Sequence, residues 1–234
     1  MTTSPEEAQP AAVPYGTPDQ PRIAVRGEAH LEVDPEIARI EVTVLARGKD
    51  RRTALDDLTR RNTTVLDLIK TYGEAIERLE TGAFSITPQL KDKSRGERVH
   101  AYHGRAHISA ELTDFTALGE LTTHLADLDL TRVDGPWWSL RPTSPAHKHA
   151  RQQAVHEAVQ RAREYAEALG TTLAALIELA DIGAEDNNQP FYAAAPARSM
   201  AAVEDAPAPL DLEPQRQHVY AQVNARFTML PPQL

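Results

Sequence analysis

The run His218-Val219-Tyr220-Ala221-Gln222-Val223-Asn224-Ala225-Arg226-Phe227-Thr228-Met229 alternates polar and apolar residues without a fault. Side chains change sides at every residue of a strand, so Val219, Ala221, Val223, Ala225, Phe227 and Met229 must share one face. Tyr220, Gln222, Asn224, Arg226 and Thr228 take the other. Burial on one side only is the habit of an antiparallel sheet backed by helices, and this restricts the chain to an α+β class. A buried parallel sheet would read as a continuous apolar run instead.

The same alternation opens the ordered part, as Ile23, Val25, Gly27, Ala29, Leu31 and Val33 against Arg26, Glu28, His30 and Glu32. Asp34-Pro35 reads as a turn, and Ala38, Ile40, Val42, Val44 and Ala46 continue on a second strand, so a hairpin is expected. A helix follows over about 51–72, capped by Asp50 and ended by Gly73. Its apolar stripe is Ala54, Leu55, Leu58, Asn62, Val65, Leu66 and Ile69. Residues 84–90 and 99–112 read as a second hairpin around Ser94-Arg95-Gly96. A helix capped by Thr113 or Asp114 then carries Leu118, Leu121, Leu125 and Leu128. Residues 131–141 read as a strand, on which Trp137 and Trp138 point to opposite faces. Ser144-Pro145 opens the longest helix, with proline at the first position, where a missing N–H costs nothing. That helix, ending at Gly170, places alanine at 146, 150, 154, 158, 162 and 166, a stripe that lets its axis approach a neighbour closely. Residues 175–182 and the final strand complete antiparallel sheets packed on helices in the order ββα-ββα-βαββ.

Prolines mark the boundaries. Five of them precede Arg22 and five more fall between Pro190 and Pro214. Residues 1–21 are expected to be a disordered tail, and 22–231 one domain interrupted by a long Ala/Pro-rich loop at 185–215. The net charge of −9 speaks against general nucleic-acid binding, which needs clustered lysine and arginine. With no cysteine, disulfides, thiolate–metal sites and thiol nucleophiles are excluded. Residues 1–21 hold Glu6 and Glu7 and no apolar run of signal-peptide length, and nowhere do ~20 apolar residues follow one another as a membrane helix requires. A cytoplasmic location and no membrane span are the expectation.

Several residues match a known pattern in order. They are Ile23 to Ala29 through Val33-Asp34-Pro35-Glu36, Asn62, Thr81 with Phe84 to Gln89, Tyr102 before Arg105-Ala106, Gly135 with Trp138 and Leu140, the Ala/Arg-rich helix, and Leu212-Glu213-Pro214. Over about 22–230 the chain thus resembles the SIMPL domain, a family that includes periplasmic immunogenic and oxidative-stress-defence proteins of bacteria. The resemblance implies an α+β fold and a tendency toward large ring- or channel-like homo-oligomers; it carries over no catalytic residue. The family's stress connection reaches this chain only through that resemblance. Pro136 departs from the pattern, standing where an apolar strand residue is usual, so that strand should be an edge or be bulged there.

Reactive constellations are scarce. There is no Gly-x-Ser-x-Gly elbow, no Walker pattern and no Gly-x-Gly-x-x-Gly loop. His103 and His107 fall on one strand face with Arg105 between them, but four strand residues span ~13 Å, too far for one ion. No catalytic residue, cofactor or metal ligand is therefore assigned. Trp137 with His103, Arg105 and His107 are the candidates for an association surface. Asn62 lies on an apolar stripe, where its amide requires a structural hydrogen bond or a ligand. The expected function is non-enzymatic, through homo-oligomerisation or association with another protein. The alternative is a small-ligand binder or an unrecognised hydrolase with a pocket beneath 186–215.

Overall fold

The computed structural model describes residues 16–91, 98–181 and 210–233. Its elements follow the expected order: β1 (Arg22–Val33), β2 (Ile37–Gly48), α1 (Arg51–Thr71), β3 (Ile76–Lys91), β4 (Arg98–Leu112), α2 (Phe115–Ala126), β5 (Thr131–Ser139), α3 (Pro145–Ala168), β6 (Leu173–Asp181) and β7 (Gln217–Met229). A single 3-10 turn, Gly73–Ala75, joins α1 to β3. The fold is α+β, with antiparallel strand pairs.

The strands divide between two sheets, ordered β1-β7-β6 and β3-β4-β2-β5, and the described residues fall into two compact units. This corrects the expected first hairpin. β1 and β2 are consecutive and both alternate, yet they are not partners: β1 pairs with β7 and β2 with β4 and β5. Only the second hairpin, β3 with β4, forms as read. It begins earlier, at Ile76 rather than Phe84, because register shifts at 76/78 and 81/84 hide the period of two in its first half.

One unit holds β2 to β5 with α1 and α2. Ile40, Val42 and Val44 of β2 and Ile108, Ala110 and Leu112 of β4 are fully or almost fully buried against Leu58, Val65 and Ile69 of α1 and Leu118, Leu121 and Leu125 of α2. At ~1.5–3 kcal/mol per large apolar side chain, this layer is the main source of stability in the unit. Both helices start where the sequence places them. Asp50 accepts the Thr53 N–H at 2.9 Å, and Asp114 accepts those of Thr116 and Ala117 at 2.9 and 3.1 Å. In the α1 stripe Leu55 turns out exposed. It is one residue past Ala54, a rotation of about 100° that carries it off the sheet.

Trp138 faces the helices, its ring edge-on to Phe115 with centroids 4.8 Å apart, and Trp137 faces away. β5 is an edge strand, and its register against β2 shifts between Arg39 and Glu41, beside Pro136. Gly135 there has φ +117°, and a Cβ would lie 2.9 Å from the Arg39 carbonyl oxygen.

The other unit holds β1, β7, β6 and α3. Ala150, Ala154, Ala158, Ala162 and Ala166 are buried, and Ala154, Ala158 and Ala162 pack with Val25, Ala29, Val223, Ala225 and Phe227. β1 lies so near the helix that a Cβ on Gly27 would sit 2.0 Å from the Ala154 carbonyl oxygen. The alanine stripe is thus a means of close approach, as its spacing predicts. The core takes only the partly buried Leu173 from β6. The expected tail lies mainly outside the described residues, as does most of the 185–215 loop; Leu210 to Gln215 are described, and the Leu210 N–H bonds Thr123 Oγ1 at 3.1 Å.

Candidate functional site

In the four-stranded sheet, α1 and α2 cover the face that bears Ile40, Val42 and Val44. The opposite face takes the odd-numbered residues of β2 and β4, and the register sets Arg39 opposite Glu111, Thr43 opposite His107, Leu45 opposite Arg105 and Arg47 opposite His103. It is a polar face with two unlike ends.

At one end the charges are matched along each strand. Arg39 pairs with Glu41 at 3.8 Å, Arg78 with Glu80 at 2.6 Å and Arg132 with Asp134 at 2.6 Å. Each is an i, i+2 neighbour on one side of one strand, so alternation alone brings the partners together. Trp137 lies beside Arg39, whose guanidinium carbon is 5.4 Å from the ring centroid, and remains 38% exposed. In the middle, His107 Nδ1 and Thr43 Oγ1 are 3.2 Å apart, which ties two neighbouring strands.

The other end is basic. Arg47, His103 and Arg105 line a concavity of about 510 Å³ together with Leu45, Ser85, Thr87 and Leu130. Ser85 stands opposite Arg105 and Thr87 opposite His103 across β3 and β4, so five side chains from three strands meet there. Among the described residues, Arg47 donates a side-chain hydrogen bond to the Gln89 amide oxygen alone, at 3.5 Å. Among the described residues no carboxylate lines this hollow.

All four residues picked out as an association surface share this face, but not one spot on it. Trp137 and His103 stand opposite Arg39 and Arg47, eight residues apart along β2, or about 26 Å. Asn62 is the amide expected to make a structural hydrogen bond or a ligand contact. Its Oδ1 is buried with no hydrogen-bond partner among the described residues. Among those residues no three His, Asp or Glu side chains converge as a metal site would require.

A second feature lies in the other unit, and sequence reading missed it. β6 carries Leu176, Ile177 and Leu179, which are 54%, 39% and 47% exposed. Leu176 and Leu179 pair with Phe227 and Ala225, whose side chains point to α3, so both leucines lie on the helix side of the sheet. The helix does not cover them. A concavity of about 530 Å³ remains there, with Val159, Leu173, Leu176 and Phe227 in its lining and Arg163 and Glu167 among its polar groups. An apolar strand reads the same in sequence whether or not a helix lies over it, so periodicity carried no signal of this.

Residues 23–227 match a family described as SIMPL, protein of unknown function (DUF541). The chain belongs to the SIMPL family. It is 25% identical over 168 residues to the 26 kDa periplasmic immunogenic protein of Brucella melitensis, covering 69% of this chain and 66% of the relative. The homologous 26 kDa periplasmic immunogenic protein of Brucella abortus gives the same identity and coverage. An uncharacterized protein, YggE, of Edwardsiella ictaluri is 21% identical over 196 residues, 82% of this chain and 80% of that one. The chain thus matches about two thirds of the length of the Brucella relatives. Among the described residues, the SIMPL match spans both sheets and the three helices, including the basic hollow and β6. Among the described residues no helix is long and apolar enough to cross a membrane.

Proposed function

We propose that this SIMPL chain works without catalysis, by self-association, and that the uncovered helix side of β6 is where two copies join. The observation that carries the reading is the exposure of Leu176 and Leu179 beside the hollow under α3. Exposed apolar groups on an edge strand invite another chain. A second copy suits the patch because it carries no net charge: the two charged residues that line the hollow, Arg163 and Glu167, are of opposite sign. Two copies of a chain with net charge −9 repel elsewhere, and meet at least cost where neither presents net charge. The register shifts at 173/175 and 176/178 interrupt the free edge, so the leucine face supplies the contact in preference to extended strand pairing.

Light scattering on the full chain tests this. A discrete oligomer is expected, reduced in mass by Leu176→Lys with Leu179→Lys; a monomer at all concentrations would reject it. Trp137→Ala, at the paired end of the polar face, tests the association surface expected from sequence in the same measurement.

Relatives named periplasmic point away from the cytoplasmic expectation, and fractionation of the native cell decides the compartment. A stress-related role rests on family likeness alone, and comparing deletion and parent strains under peroxide addresses it. The alternative of a ligand or hydrolase pocket beneath 186–215 concerns residues mostly outside those described.

A further inference from the structure

The polar face of the four-stranded sheet has a rule and two exceptions. Arg39, Arg78 and Arg132 each have a carboxylate two residues along the same strand. The corresponding neighbours of Arg47 are Leu45 and Lys49, and those of Arg105 are His103 and His107. Arg47 and Arg105 are also diagonal neighbours across the β2–β4 pair, since Arg47 stands opposite His103 and Arg105 opposite Leu45. Diagonal strand neighbours lie ~7–8 Å apart at Cα, within reach of long side chains. Like charges so placed repel, and no described carboxylate lines the hollow between them to offset this.

We propose that the hollow binds a phosphate monoester with a small apolar group. Two guanidiniums supply a charge of +2, which matches the −1.5 to −2 of such an ester near neutral pH. The Ser85 and Thr87 hydroxyls and the His103 ring offer further donors from the neighbouring strands. Leu45 and Leu130 form an apolar wall beside this charged group, which a bare inorganic ion would leave unused. The proposal is independent of self-association through β6, which lies in the other unit.

Calorimetric titration of the full-length protein with n-butyl phosphate tests the assignment. Saturable binding with one site per chain is expected, weaker for inorganic phosphate and for pentanoate, which lack the apolar group and the second charge respectively. Arg47→Gln and Arg105→Gln should each weaken binding by roughly tenfold or more, the scale of one charged hydrogen bond. Arg39→Gln, at the paired end of the same face, should leave it unchanged; circular dichroism confirms that each variant is folded. No saturable binding to the parent protein would overturn the proposal, as would equal loss on Arg39→Gln, which marks a general charge effect. Inorganic phosphate or pentanoate binding as tightly as the ester would overturn the ester assignment.

Discussion

A Cβ at position 27 would meet the Ala154 carbonyl oxygen at 2.0 Å and the Ala158 nitrogen at 2.6 Å. Both are backbone atoms of α3 and neither can rotate away. Gly27→Ala should therefore cost more than the ~1–3 kcal/mol of ordinary overpacking, because strand and helix must separate along their shared length. A fall in the urea midpoint with an unchanged slope would show it; a midpoint near that of the parent would mean that β1 and α3 are not so closely packed. The tryptophans give a second contrast at this scale. Trp138→Ala removes a ring packed on Phe115 and the helix layer and should cost about 3 kcal/mol. Trp137→Ala removes a partly exposed ring and one contact with Arg39, worth ~0.5–1 kcal/mol. Thermal denaturation of the two variants side by side distinguishes them, and a reversed order would mean that the two faces of β5 are exchanged.

Among the elements, α1 has a start that depends on one ionised group. Asp50 accepts from the Thr53 N–H at 2.9 Å and from its hydroxyl at 2.8 Å. The backbone hydrogen bond first, and the side-chain one second, hold its carboxyl below the usual carboxylate range. The folded state thus binds this proton less readily than the unfolded chain. The contribution is complete above the ordinary aspartate pKa of about 4 and is lost as pH falls through the lower folded value. Asp50→Asn keeps an acceptor but removes the titration. It should flatten the loss of stability between about pH 5 and pH 2 relative to the parent, as read from urea midpoints across that range. Identical pH profiles would show that other carboxylates, such as Glu77 beside Arg141, dominate acid unfolding.

At the scale of the whole molecule, association and folding should be linked. If only folded chains join through β6, dilution favours the unfolded state, and the thermal midpoint should fall with protein concentration. The Leu176→Lys, Leu179→Lys variant should lose that dependence while keeping its monomer fold, because both side chains are about half exposed already. A concentration-independent midpoint in the parent protein, at concentrations where light scattering finds an oligomer, would place the joining surface on a part that unfolds separately.

Much of this molecule was legible in its residues, and the reason is local. Alternation at period two follows from strand geometry wherever a strand lies, so it identified the two faces of β7, the shared side of His103, Arg105 and His107, and the opposed directions of Trp137 and Trp138 without knowledge of any partner. The caps at Asp50 and Ser144 and the alanine stripe of α3 are likewise local, and the structure bears them out. What the residues could not convey was which strand lies beside which. β1 joins β7, about 190 positions away, in preference to β2 beside it in sequence, because pairing is decided by which apolar faces can be buried together. The exposure of β6 and the meeting of Arg47 with His103 and Arg105 depend on that same pairing and register. Sequence by itself determined the elements and their faces. Tertiary structure alone decided their neighbours, because burial and charge pairing are properties of two surfaces and periodicity describes only one.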